Sequence, residues 1–290
     1  MIPEEVLKKI QKFHFSTRRQ ANDLFAGQYE SAFKGQGIEF AEVREYQIGD
    51  DIRTIDWNVS ARFGRPFVKV FNEERELTVM LLLDLSGSHL FGTKVKFKRE
   101  LLAEVAGMLA FLAIRTNDKV GAILFSSQVE KYIPPKKGAS HVWRLIKEIF
   151  TYQPQDLSTN LDAVLNYFNR VVKRHAIVFL ISDCVDTGFE KSLRLTAKKH
   201  DLVVIRVSDP AEDQLPDVGL ATLQDPETGQ VALINTRSKG LRGRWSNYRK
   251  EQTAYLSDLL RKAGVDLVEL WTDGPVIKPL TSLFEKRSKR

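Results

Sequence analysis

Thr78-Val79-Met80-Leu81-Leu82-Leu83-Asp84-Leu85-Ser86-Gly87-Ser88 decides the fold. An apolar run ends on a carboxylate, two hydroxyls follow at alternate positions, and a helix-forming stretch comes next. A strand without polar alternation is covered on both faces, as in the parallel sheets of α/β domains. Ligands of such sheets bind at the carboxyl ends of the strands, where the loops converge. An Asp and two Ser placed there supply only hard oxygen donors, which suit hydrated Mg²⁺ or Mn²⁺ better than a soft metal.

Downstream, strand and helix patterns alternate. Apolar runs at 120–125, 176–181, 202–207 and 265–271 predict strands. Helical spacing predicts helices over 96–115, 140–150, 160–172, 189–200, 245–263 and 280–286. The alternation predicts an α/β fold: an open, mostly parallel sheet with helices on both faces. Residues 129–133 read as a hairpin partner of 120–125, stopped by Pro134-Pro135. An inserted β-hairpin is expected at about 215–237, where strands 220–223 and 230–234 flank Asp225-Pro226-Glu227-Thr228-Gly229. Residues 1–75 are polar and turn-rich and read as an N-terminal extension or subdomain, with helices over 6–13 and 20–33 and strands over 38–46 and 65–71. Residues 76–290 make the main domain.

A chain of 290 residues, 43% hydrophobic, holds enough material for a sizeable core. The net charge of +7 is spread along the chain and densest in Lys286-Arg287-Ser288-Lys289-Arg290, which reads as a solvated terminal segment. Basic clusters such as Arg242-Gly243-Arg244-Trp245 come without a recognised nucleic-acid fold, so nucleic acid is not an expected partner. The one cysteine, Cys184, excludes an internal disulfide and a thiolate zinc site, and fits a reducing compartment. It reads as a small buried hydrophobe. No basic-then-apolar leader opens the sequence, and no apolar run reaches the roughly 20 residues that cross a bilayer. A cytoplasmic location is expected, and peripheral membrane association is compatible with it.

Asp84, Ser86 and Ser88 form a D-x-S-x-S string. Alone, it is also what a helix-capping turn looks like. Two further segments add to it: Leu157-Ser158-Thr159-Asn160 puts a hydroxyl just before a helix, and Ser182-Asp183 puts a carboxylate at the end of a later strand. Two carboxylates about 5 Å apart repel by about 3 kcal/mol at an effective dielectric of 20, a cost that a cation removes. The set resembles the metal-ion-dependent adhesion site (MIDAS) of von Willebrand factor A-like domains. That resemblance implies that Asp84, Ser86, Ser88, Thr159 and Asp183 hold Mg²⁺ or Mn²⁺, and that the ion binds a partner's acidic side chain without performing chemistry. The lead-in to the Thr is Leu157-Ser158 where the family is Gly-rich, and Cys184 stands where Gly often follows the second Asp.

A second resemblance covers most of the chain. Gly35-Gln36-Gly37-Ile38-Glu39-Phe40, Arg44-Glu45-Tyr46, Gly49-Asp50-Asp51-Ile52-Arg53-Thr54-Ile55-Asp56-Trp57 and Ala61-Arg62 are similar to the signature of a bacterial domain-of-unknown-function family, DUF58. The resemblance implies a von Willebrand factor A-like domain behind the signature and genes beside MoxR-type AAA+ ATPases. It implies an adaptor or co-chaperone that works with such an ATPase, or on its client, in protein maturation or complex assembly. The signature's charges read as a salt-bridge network fixing the N-terminal segment on the main domain. Trp57 reads as a core anchor.

Enzyme readings fail on residue types. Asp84 after an apolar strand resembles the phosphoryl acceptor of haloacid-dehalogenase-type phosphatases, but the acid/base position two residues on is Ser86. A nucleophile elbow needs Gly on both sides of Ser86, where Asp84 and Ser88 stand. No phosphate-binding G-x-x-x-x-G-K-[ST] string occurs. The five histidines lack metal-ligand spacing, and His89 reads as a helix-entry residue. The chain is therefore expected to bind rather than catalyse. The alternatives are a scaffold whose metal site is vestigial and whose basic face does the binding, and, as an outsider, a metal-dependent phosphohydrolase.

Overall fold

The computed structural model describes residues 23–33, 39–72, 77–93 and 96–289. The helix expected over 6–13 lies outside the described residues. Contacts divide the chain into a smaller unit, Lys34–Glu76, and a larger one that takes in the helix α1 (Asp23–Ala32) and everything from Leu77 onward. A boundary at 75 with all preceding residues in one piece therefore does not describe α1. Its Tyr29 and Phe33 are buried in the larger unit, 5.6 and 5.7 Å from the Phe284 ring.

The smaller unit pairs β1 (Glu39–Glu45) antiparallel with β2 (Phe67–Asn72), with the helix α2 (Trp57–Phe63) between them. The charges of the signature act locally. Asp51 accepts from the Arg53 amide at 3.0 Å, and Asp56 caps α2 by accepting from the amides of Asn58 and Val59. Both guanidinium nitrogens of Arg44 donate to Asp50 at 2.8 Å. Trp57 is 69% exposed and is not a core anchor. It is the first residue of α2, directly behind the cap, and two strands with one short helix lack the layers that would cover it.

The larger unit begins with β3 (Thr78–Asp84), α3 (Lys98–Arg115), β4 (Lys119–Phe125), β5 (Val129–Lys136), α4 (Ala139–Thr151) and α5 (Leu161–Val171). It continues through β6 (Ile177–Ser182), α6 (Glu190–Lys199), β7 (Asp201–Ser208) and a short α7 (Pro210–Asp213). The expected insertion follows as β8 (Leu220–Gln224) and β9 (Val231–Asn235), then α8 (Lys239–Ala263), β10 (Asp266–Trp271) and α9 (Ile277–Ser288). The fold is mixed α/β. Six strands form one sheet in the order β10-β7-β6-β3-β4-β5, parallel throughout except for β5.

The apolar run of β3 explains the two layers. Val79, Leu81 and Leu83 point into a core shared with α1, α3, α4 and α9. Met80 and Leu82 point into a second core with α5, α6 and α8. Each such buried side chain contributes about 1.5–3 kcal/mol relative to exposure. Residues 101–103 and 105–113 of α3 are buried, which is why its pattern is apolar nearly all round.

Three expectations change. β5 runs through Pro134-Pro135 to Lys136 instead of stopping there, because it is an edge strand with one side unpaired. α8 starts at Lys239, not 245, since the Ser238 hydroxyl accepts from the Leu241 amide and caps it. Arg287 is not a solvated terminal charge: its guanidinium donates to Asp266 and Asp201 at 2.8 Å each. Among the described residues, no helix is long and apolar enough to cross a membrane.

The chain leaves β3 for β4 and β5 on one side, then returns to β6 on the other. The carboxyl ends of β3 and β6 thus form the topological switch point, where open α/β sheets hold ligands.

Candidate metal centre

Asp84 ends β3 and is fully buried. Parallel register sets Leu83 beside Ile181, so the next residue on each strand meets its counterpart: the Ser182 hydroxyl donates to Asp84 Oδ2 at 2.6 Å. Asp84 Oδ1 accepts from the Ser86 amide at 2.9 Å, which tightens the turn. That turn brings the Ser86 and Ser88 hydroxyls to 3.1 Å from each other. The Ser88 hydroxyl also helps hold down the carboxyl of Asp183, the residue just past β6. The third loop is tied in by backbone, the Gly87 amide donating to the Leu157 carbonyl at 2.7 Å. A Cβ at Gly87 would collide with the Pro226 carbonyl and meet Leu157 Cβ at 3.2 Å, so only glycine lets this turn close against the Leu157 loop and the residue Pro226. Thr159, two residues beyond Leu157, donates from Oγ1 to Glu227 Oε1 at 2.9 Å.

Burial pushes the Asp84 carboxyl up to about 7, and the nearby Asp183 charge adds to the rise. Burial also raises Asp183, but Lys98 and His89 outweigh it and hold that carboxyl below the usual carboxylate range. The Lys98 ammonium, itself fully buried, donates to Asp183 Oδ2 at 2.9 Å and to Glu212 Oε1 at 2.6 Å. Burial pushes Glu227 up to about 6, with Asp183 and Asp84 contributing against its bond from Thr159. Burial lowers His89 to about 4, leaving its imidazole neutral.

Several participants escape the sequence reading. His89 is more than a helix-entry residue: its Nδ1 lies 3.4 Å from Ser88 Oγ, 3.5 Å from Ser86 Oγ and 3.7 Å from Asp84 Oδ1. Its Nε2 is buried without a hydrogen-bond partner among the described residues. Lys98 has a visible signal, a lysine in the first turn of a nearly all-apolar helix, where the dipole disfavours it unless a carboxylate faces it. Glu212 reads only as the capping-box partner of Asp209. Glu227 carries no signal beyond an acid in a hairpin turn. Cys184 is half-buried against the second core, at φ 57, in the left-handed region that costs a residue with a Cβ about 1–2 kcal/mol. That backbone shape explains the glycine that the resemblance leads one to expect there.

The donor set fits a hard divalent cation. The site offers oxygen donors from Ser86, Ser88, Thr159, Asp84 and Asp183, and the Lys98 ammonium pairs with two carboxylates there, those of Asp183 and Glu212. Among the described residues, no group of three or more His, Cys, Asp or Glu side chains is arranged as a metal cage, so hydroxyls would supply much of the coordination.

Fold and site together define an open α/β domain with an oxygen-lined edge at its switch point. The chain belongs to the family described as protein of unknown function DUF58, whose pattern matches residues 42–255. It is similar to the uncharacterized protein Mb1516 of Mycobacterium bovis, 29% identical over 267 residues, 91% of this chain and 84% of that one. It is also similar to the uncharacterized protein MAV169 of Mycobacterium avium, 26% identical over 160 residues, 54% of this chain and 94% of that one. Among solved structures, the conserved hypothetical protein BatB from Bacteroides thetaiotaomicron matches 74% of this chain and 100% of its own at 18% identity and TM-score 0.48. The SpRpn10 VWA domain matches 73% and 95% at 12% identity and TM-score 0.38.

Proposed function

We propose that the chain is a cation-dependent protein-interaction module, not an enzyme. The observation that carries this reading is the gathering of the Ser86 and Ser88 hydroxyls with the buried carboxylates of Asp84 and Asp183 at the switch point, with the loop 157–160 tied to them by backbone through Gly87. Ser86, Ser88 and Thr159 would hold Mg²⁺ or Mn²⁺, with Asp84 and Asp183 behind them. Bound there, the ion supplies a positively charged coordination position for the acidic side chain of a protein partner. The DUF58 resemblance points to a MoxR-type AAA+ ATPase or its client as that partner, with this chain as adaptor or co-chaperone in the cytoplasm. Ser86 and Asp84 both face the same ring nitrogen of His89, so the imidazole cannot relay a proton from one to the other, which supports binding over catalysis.

Calorimetric titration with Mg²⁺ tests the reading. Wild type should bind one ion, Asp84→Ala and Thr159→Ala should lose it, and equal affinity in all three would refute the assignment. A second reading has Lys98 in its favour: an ammonium already compensates Asp183, as in a site that is purely structural. Binding would then run through basic surface, resist chelator and fall steeply with salt.

A further inference from the structure

The inserted hairpin reaches the site with its own acid. Asp225 fixes the turn: its Oδ1 accepts from the Glu227 amide at 2.9 Å, and its Oδ2 from the Thr228 hydroxyl at 2.8 Å. Glu227 so held receives the Thr159 hydroxyl, while the neighbouring Pro226 carbonyl rests on Gly87, inside the D-x-S-x-S loop. The arms of the hairpin are not held by burial, since Leu220, Val231 and Leu233 are all more than 60% exposed. They are fastened at the base, where the Thr236 hydroxyl donates to the Gly219 carbonyl at 2.7 Å and Arg242 pairs with Asp217 at 2.6 Å. The hairpin is thus a strap tied at both ends and bare between them.

We infer that Glu227 is a further ligand residue of the cation site, supplying from within the chain the carboxylate that an acidic partner would otherwise bring. This rests on the cation-binding reading above. Thr159 marks the place: its hydroxyl belongs to the ligand set, and it is the group that Glu227 touches. A partner carboxylate must therefore displace Glu227, and the strap can yield because only its ends are fastened. Partner capture and hairpin seating are mutually exclusive.

Mn²⁺ serves as the probe, added to the full chain. Free ion is counted by electron paramagnetic resonance, and waters on the bound ion by water-proton relaxation. Glu227→Gln should bind Mn²⁺ at least roughly tenfold more weakly, the scale on which even supporting groups matter. Its bound ion should relax water faster, because a water takes the vacated place. Acetate should then lower that relaxation in Glu227→Gln at concentrations that leave wild type unchanged. Unchanged affinity and relaxation in Glu227→Gln, with binding still abolished in Thr159→Ala, would overturn the role of Glu227 and leave the cation site standing. No saturable Mn²⁺ binding in wild type would overturn both. If Glu227→Gln does not fold, Glu227→Asp, one methylene shorter, carries the same two readouts.

Discussion

Asp84 concentrates the chemistry of the site in one side chain. Its carboxyl sits at about 7 in the folded protein against an ordinary value near 3.8, so the native state holds this proton more tightly than the unfolded chain does. The stability it contributes is present in full below about pH 4 and is lost as pH rises through about 7. His89 acts in the opposite sense over much of this range, because burial lowers it from 6.5 to about 4 and makes protonation oppose folding. The comparison of wild type with Asp84→Asn separates the two. In metal-free protein, denaturant titrations should show Asp84→Asn gaining stability relative to wild type between pH 4 and 7, and a flat difference would contradict a buried acid. The placement of Asp84, Ser86, Ser88 and Asp183 at strand ends and of Thr159 before a helix was legible in the sequence, because local pattern marks such positions. Lys98 shows only as a lysine out of place in an apolar helix, and Glu212 and Glu227 show nothing, because the partners lie 85, 114 and 68 residues away and only the folded chain brings them together.

At the scale of elements, burial determined what could be read. Strands β3, β4, β6 and β7 are sunk between helical layers, and their unbroken apolar runs announce them. The hairpin β8–β9 was legible from its turn residues instead, as its strands are largely exposed. α2 was missed, since seven residues opening on Trp57 give too short a stretch for helical spacing to register. The hairpin's exposure has a measurable consequence. The Thr236 amide already donates to the Gly219 carbonyl at 2.7 Å, so the hairpin's ends stand together. Replacing residues 220–235 with a short Gly-Ser turn should shift the melting temperature by less than about 4 °C, equivalent to roughly 1 kcal/mol for a unit of this size. A larger fall in a thermal melt would show that the hairpin is part of the core.

For the whole molecule, sequence alternation gave the parallel sheet and its two cores, while the order of strands came from the structure. Nothing local says that β6 crosses to the far side of β3, yet this crossing sets Ser182 against Asp84. The same order leaves β5 at one end of the sheet, and the two prolines there have a role beyond being tolerated. Without amide hydrogens, Pro134 and Pro135 give an approaching strand from another copy nothing to accept from at these positions, and Lys136 adds a charge at the same border. The pair therefore guards against uncontrolled self-association. Replacing both prolines with valine should raise light scattering on warming well below the wild-type onset, while the monomer's far-ultraviolet circular dichroism stays the same; an unchanged onset would show that β5 needs no such guard.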